Sequence, residues 1–348
     1  MVYGQSGLVK GCYCLSNQPK IALAGCGYWG KNLCRNFHEL GALAQVVDAT
    51  ENGQSTARSI APEVAVTSNF EEVLNNPEIK GIALATPAET HCVLAVQAME
   101  KGKDVFVEKP MALSIDDAKK MQAVAFQTNK VLMVGHLLEY HPAVLKLREL
   151  IDSEELGKIN YIYSNRLNFG KVRTEENALW SFAPHDVAVI LRLMGQSPTQ
   201  VSATGGSYLT SGLADTTVSN LRFSDESRAH IFVSWLHPFK EQRLVVVGDE
   251  KMAIFNDVAP FGEKLMLYPQ TVEFDGAVPL LKKEEAVFVD HSDTEPLREE
   301  CKHFLDCIQS RNQPLTNAQS GIDVLQVLHA CQQSIKQNGE PVSLRDLI

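Results

Sequence analysis

The sequence predicts an α/β fold: an N-terminal doubly wound parallel sheet, then a C-terminal α+β domain built on a mostly antiparallel open sheet. Three observations carry that reading. From residue 20 to about 140, short apolar runs alternate with helical segments, the pattern of βαβ units. The first run ends in a glycine-rich turn that opens a helix. Beyond residue 158 strands follow one another with little helix between them, as in antiparallel sheets.

KIALAG (20–25) is the first strand, and YWGKNLCRNFHELG is a helix with Leu33, Phe37 and Leu40 at helical spacing. AQVVDAT, EVAVTSN, GIALATP, DVFVEKP and KVLMVGH are the next five strands. Between them STARSIA, FEEVLNNP, ETHCVLAVQAMEKG and SIDDAKKMQAVAFQTN read as helices, the last capped by Ser114. The first domain spans 20–140 and residues 1–19 form a flexible leader. A helix at about 142–152 opens the second domain, 141–348. KINYIYSNRLNF, TQVSATGG, TTVSNLRFS, RAHIFVSWL, QRLVVVGD, KMAIFND and KLMLYP are its strands. Two helices close the chain, at about 295–310 and 316–337, and are placed to pack back on the first domain. The first of them carries residues 297, 301, 304, 305 and 308 on one apolar stripe.

Composition narrows the function classes. Of 348 residues, 45% are hydrophobic and 21% charged, which is ordinary for a globular protein. Lys and Arg number 32 against 42 Asp and Glu, a net charge of −10, which argues against a nucleic-acid partner. An anionic ligand must find local cations. No run approaches the roughly 20 apolar residues of a membrane span, and the first 19 residues lack an apolar signal core, so a cytoplasmic protein is expected. Eight scattered cysteines fit reduced thiols. Cys12 and Cys14 are close, but without further ligands nearby no metal site is expected.

Gly25-Cys26-Gly27-Tyr28-Trp29-Gly30 fits G-x-G-x-x-G between a strand and a helix, where backbone N–H groups and the helix dipole meet a pyrophosphate. Asp48 ends the second strand, placed to accept hydrogen bonds from an adenosine ribose and to disfavour a 2′-phosphate. Together they predict a Rossmann domain that binds NAD rather than NADP. Thr86 and Pro87 end the fourth strand and line the cofactor groove or form a plain turn; His91, just beyond, touches the ligand or is a satisfied helix residue. Glu108-Lys109-Pro110 ends the next strand on the same sheet edge, either at the nicotinamide end of the groove or as a surface turn. A lysine at the first of these places would have its pKa pushed down beside a cationic ring and would stabilise an alkoxide as hydride leaves.

GCGYWG, Asp48, TPAETH, GKDVFVEKP and a second domain closed by EPLREECKHFLDCI together resemble the Gfo/Idh/MocA oxidoreductases over nearly all of the chain after residue 19. GYWGKNLCRNFHELG, GHLLEYHP, YIYSNRLNFGKVRTEENALWSFAPHD and EPLREEC are similar to one subgroup, the bacterial UDP-N-acetyl-2-amino-2-deoxyglucuronate 3-dehydrogenases. The resemblance implies NAD-dependent oxidation of a sugar 3-hydroxyl, an aminotransferase acting next, either release of NADH or its reoxidation by 2-oxoglutarate, and a homodimer or homotetramer.

It also implies an active-site histidine, His185, at the start of a second-domain helix, suited to take the alcohol proton. The family pattern has Asp four residues earlier, where this chain has Ser181, so Lys109 and His185 are left as the working pair. Asp186 either orients the imidazole or caps the helix. Arg166, Asn168, Lys171 and Arg173 form a cationic and polar cluster suited to a diphosphate or a uronate carboxylate, with an exposed basic loop as the alternative for Lys171 and Arg173. Glu139, Tyr140 and His141 sit at the domain junction, near substrate or as a hinge. The substrate expected is UDP-N-acetylglucosaminuronate. UDP-N-acetylglucosamine, another sugar or inositol, and a non-catalytic NAD sensor are the alternatives; a sensor has no need of Lys109 and His185.

Overall fold

The computed structural model describes residues 18–170 and 172–347. Most of the leader, with Cys12 and Cys14, and Lys171 of the cationic cluster lie outside the described residues.

Six parallel strands form the first sheet: β1 (Lys20–Ala24), β2 (Leu43–Val47), β3 (Ala65–Thr67), β4 (Ile79–Leu84), β5 (Asp104–Glu108) and β6 (Leu132–Gly135). Helices α1 (Gly30–Glu39), α2 (Glu51–Ile60), α3 (Phe70–Asn75), α4 (Ala88–Glu100) and α5 (Ile115–Thr128) connect them. The order β3-β2-β1-β4-β5-β6 is doubly wound, and its strands read as continuous apolar runs because helices cover both faces. Helix starts follow local chemistry: Thr50, Asn69 and Ser114 each accept a hydrogen bond from a first-turn backbone N–H. The second helix starts at Glu51, four residues before the expected STARSIA, because Thr50 caps it there.

A 3-10 turn (Leu137–Tyr140) and α6 (Pro142–Asp152) lead to β7 (Ile159–Phe169), α7 (Ala178–Met194), β8 (Gln200–Gly206), β9 (Thr216–Arg222), β10 (Arg228–Ser234), β11 (Leu236–Gly248), β12 (Met252–Asn256) and β13 (Leu265–Tyr268). Then come β14 (Gln270–Asp275), β15 (Val278–Lys283), β16 (Val287–Phe288), α8 (Pro296–Ser310), α9 (Ala318–Lys336) and β17 (Val342–Ser343). Nine of these strands make one open sheet in the order β16-β13-β12-β11-β7-β10-β9-β8-β17. All its pairs are antiparallel except β7 with β10. β14 and β15 stand apart as a hairpin.

The structure corrects the expectation of little helix in this domain. α7 runs for 17 residues between β7 and β8, with Pro184 inside it. Its sequence, ALWSFAPHDVAVILRLM, is apolar almost all round, so no amphipathic period marks it, and the proline reads as a break. Helices α6, α7 and α9 pack on one face of the sheet and bury Ile162, Ile231, Val233 and Trp235. The other face carries Tyr161, Tyr163, Val218 and His230, with Tyr163 stacked on His230 at 5.2 Å between ring centroids.

α8 and α9 pack across the junction onto the first domain. Leu297, Cys301, Phe304 and Leu305 join the core under α1 and β1, where Phe304 meets Phe37 and Phe106 edge-on at 6.4 and 5.8 Å. Ile322 and Leu325 of α9 join the core beneath α4 and α5. Burying the five large apolar side chains Leu297, Phe304, Leu305, Ile322 and Leu325 contributes roughly 7–15 kcal/mol against chain entropy, so the two sheets are held as one unit. Among the described residues, no helix is long and apolar enough to cross a membrane.

Candidate active site

Strand order reverses between β1 and β4, and the loops that follow these two strands flank the resulting crevice. Gly25 has φ +89°, and a Cβ there would lie 2.7 Å from Ala85 O; at Gly30 it would lie 2.1 Å from Gly25 O. The fold itself demands both glycines. Gly27 differs, because nothing lies within 4 Å of where its Cβ would be. That open space leaves the backbone at the start of α1 accessible to a pyrophosphate.

At the end of β2, Asp48 Oδ2 accepts from Cys26 N at 2.7 Å, and Oδ1 from Thr50 N and Oγ1 at 2.8 and 2.7 Å. Burial alone would raise this carboxyl; the hydrogen bonds from Cys26 and Thr50 outweigh it and hold the group below its usual range. A carboxylate fixed at this height suits a ribose diol and repels a 2′-phosphate. Tyr28 is 83% exposed on the rim, with Lys31 Nζ 5.6 Å from its ring centroid. The glycine turn, its open backbone and Asp48 fit NAD.

Trp29 donates its indole N–H to Glu108, which β5 buries at its end. Thr86 and Thr90 hydroxyls pair at 2.7 Å above the start of α4, which Pro87 precedes. Of the two roles open to His91, the structure shows the satisfied helix residue and not the cofactor contact. It is 1% exposed, one ring nitrogen 2.9 Å from Thr86 O and the other 3.0 Å from Pro110 O. Its ring ties the β4 and β5 loops together instead of facing the groove.

Lys109 directly follows the end of β5, on the sheet edge that borders the crevice. Burial lowers its ammonium pKa, against the pull of Glu108 and Glu176. His185 on α7 lies within electrostatic reach of it, and burial, then Lys109, Arg166 and His136, push the imidazole well below its ordinary value. Its Nδ1 is buried without a hydrogen-bond partner, as is Ser181 Oγ one turn earlier on α7. A low-pKa amine and a neutral imidazole with a free lone pair can accept a proton from an alcohol between them. His185 is not at a helix start: it is the eighth residue of α7, whose cap is Asn177.

His136 was not singled out from the sequence. It follows Gly135, the register partner of Glu108, and so stands beside Lys109 at the sheet edge. It is 2% exposed, neither ring nitrogen has a partner, and burial, then Lys109, holds it down at about 4. A polar residue directly after a strand that borders Lys109's strand was the signal available.

The cationic cluster divides. Arg166 and Asn168 share one face of β7, but Arg166 is buried and its Nε and Nη2 reach Asp186 at 2.7 and 3.2 Å. Asp186 also accepts from Ser164 Oγ at 2.6 Å. Asp186 therefore neither caps α7 nor holds the His185 ring; it neutralises Arg166. Arg173 pairs with Glu176 at 3.2 Å, partly exposed, and both act electrostatically on Lys109. At the junction, Tyr140 bonds Thr316 at 2.8 Å and ties the first domain to the second, whereas His141 caps α6 through Ala143 N within the second domain.

Residues 19–136 match the profile of an oxidoreductase family with an NAD-binding Rossmann fold, Gfo/Idh/MocA, and residues 144–254 match that family's C-terminal domain. Over 260 residues the chain is 28% identical to a 2,7-anhydro-N-acetylneuraminate hydratase of Mediterraneibacter gnavus, covering 70% of this chain and 68% of that one. It is 24% identical to the UDP-N-acetylglucosamine 3-dehydrogenase of Acidithiobacillus ferrooxidans, covering 88% and 94%. Among solved structures, scyllo-inositol dehydrogenase from Lactobacillus casei, with bound NAD(H) and scyllo-inositol, superposes with a TM-score of 0.78 at 17% identity, covering 94% and 100%.

Proposed function

The chain belongs to the Gfo/Idh/MocA oxidoreductases, and from that membership we propose that it oxidises the 3-hydroxyl of a UDP-N-acetylhexosamine derivative to the 3-keto sugar, with UDP-N-acetylglucosaminuronate as substrate. The observation that carries the chemistry is that Lys109 and His185 lie within electrostatic reach of each other, each with its protonated form disfavoured by burial. Bound NAD+ supplies the hydride acceptor. Gly27 leaves the backbone open to the pyrophosphate, Asp48 holds the ribose, and Lys109 and His185 share the alcohol's proton. Similarity to a UDP-N-acetylglucosamine 3-dehydrogenase along almost the whole chain supports a nucleotide sugar.

One observation favours a second reading, the neutral UDP-N-acetylglucosamine. Arg166, expected to meet a uronate, is closed on Asp186, which leaves Arg173, shared with Glu176, as the described cation of that cluster. The open face of the nine-stranded sheet, with Tyr161 and Val218 exposed, supports a homodimer or homotetramer. An aminotransferase would use the ketone next, and 2-oxoglutarate would reoxidise NADH held in place.

Purified protein with NAD+ and each sugar, with and without 2-oxoglutarate, tests this by nicotinamide absorbance and product mass. A product lighter by two hydrogens from the uronate is expected; the same product from the neutral sugar alone establishes the second reading. Oxidation of scyllo-inositol or turnover of 2,7-anhydro-N-acetylneuraminate, with neither nucleotide sugar oxidised, overturns both.

A further inference from the structure

A base that takes an alcohol's proton works only where it is held in place, because a misplacement of about 1 Å costs an active site roughly a hundredfold in rate. Lys109 carries its amine on a long, flexible side chain just past the end of β5, so what fixes its backbone matters. The carboxyl of Glu108 does so. Its Oε2 accepts from Lys109 N at 3.2 Å, and its Oε1 accepts the indole N–H of Trp29. Trp29 lies 79 residues earlier, inside the glycine turn at the cap position of α1. β4 stands between β1 and β5, so this one bond ties the turn after β1 to the end of β5 across a whole strand. From the other side β6 closes on the same carboxyl. Gly135 is the register partner of Glu108, and a Cβ there would lie 3.0 Å from Oε2. The carboxyl is 7% exposed with both oxygens partnered, which is what its burial requires. Trp29 is 37% exposed, so packing alone does not account for a tryptophan at this place.

We propose that Trp29 and Glu108 are positioning residues for the oxidation: Trp29 anchors the Glu108 carboxyl from the glycine turn, and that carboxyl fixes the backbone that carries Lys109. A cofactor that orders the glycine turn then orders the Lys109 backbone with it. The residue types suit this arrangement. A carboxylate offers two oxygens to two N–H donors, whereas an amide offers one, and the indole nitrogen is a donor only. Burial raises Glu108 to about 7, against the bond from Trp29 and the charge and N–H of Lys109, while Glu300 and Cys301 of α8 lie within its electrostatic reach. The Glu108 charge in turn favours the ammonium of Lys109, as does Glu176, whereas burial, Arg173 and Arg166 oppose it. His136 and His185 also lie within reach of that amine. The role rests on Lys109 as the group that takes the alcohol's proton, and not on which sugar is oxidised.

Magnetic resonance of the protein without substrate reads the bond directly. The indole N–H signal of Trp29, assigned by its loss in Trp29→Phe, is expected to shift with pH through a midpoint of about 7 and to stop doing so in Glu108→Gln. In Glu108→Gln the Lys109 side chain, followed by its carbon signal, is expected to lose its proton at lower pH, because a carboxylate that favours the ammonium is gone. On whichever alcohol the wild type oxidises, Glu108→Gln is expected to lower kcat about 10–100-fold with KM unchanged. Trp29→Phe alone is expected to lower kcat as well, and to add nothing in the Glu108→Gln background, since it acts through that carboxyl. Gly135→Ala crowds Oε2 without removing either donor; it is expected to repeat the loss of kcat and covers a failure of Glu108→Gln to fold. A Trp29 signal indifferent to pH and to Glu108, additive losses of kcat in the double variant, or wild-type kcat in Trp29→Phe overturns the proposal. Absence of nucleotide-sugar turnover in the wild type would instead overturn the substrate reading, while the two signals would still decide the positioning.

Discussion

Replacing Lys109 with alanine removes the amine that burial keeps near its neutral form. kcat is expected to fall by about 10²–10⁴, while NAD+ affinity by calorimetry stays near wild type, because the proposed cofactor contacts are Asp48 and the glycine turn. Since the lysine's pKa is lowered, the wild-type oxidation rate is expected to rise with pH through a midpoint below that of a free lysine. Asp48→Asn is expected to weaken NAD+ binding and narrow the preference over NADP+, read from the two dissociation constants. The places of Asp48 and Lys109 at strand ends on one sheet edge were legible in the sequence because such ends converge in a doubly wound fold. His136 obeys the same rule, but a histidine after a strand carries no motif. The pairing of Arg166 with Asp186 was not legible, because it joins a strand to the middle of a helix whose start the sequence hid.

At the scale of elements, the glycine turn separates folding from binding. Gly30→Ala drives a Cβ to 2.1 Å from Gly25 O and is expected to lower the melting temperature. Gly27→Ala meets nothing within 4 Å and is expected to leave that temperature unchanged while weakening NAD+ binding. Equal losses of stability in the two variants would contradict the difference. Phe304→Ala, which empties the contact of α8 with Phe37 and Phe106, is expected to cost about 3–5 kcal/mol in denaturant unfolding. The alternating strands and the α8 stripe were readable because one side of each is polar. α7 was not, because a helix buried among a sheet and two other helices has no polar face to set a period.

For the molecule as a whole, the buried acids make stability depend on pH. Glu108 and Glu139 titrate at about 7 and about 8 in the native state against an ordinary 4.5. Between those values the native protein binds more protons than the unfolded chain, so their contribution is full below about 4.5 and is lost as pH rises through 7 to 8. Measured against Glu139→Gln, the wild-type melting temperature is expected to fall more steeply, or rise less, from pH 5 to 9. The two-sheet architecture was legible from rhythm alone, whereas the way α8 and α9 lock the domains depends on which apolar faces meet, which periodicity leaves open. The proposed reaction takes hydride from one carbon of a nucleotide sugar. The direct measurement is transfer from UDP-N-acetylglucosaminuronate, and in parallel UDP-N-acetylglucosamine, deuterated at the third sugar carbon, read by mass spectrometry of the reduced cofactor. Deuterium on the nicotinamide together with a 3-keto sugar is the expected result; reduced cofactor without deuterium, or none formed from either sugar by protein that binds NAD+, would contradict it.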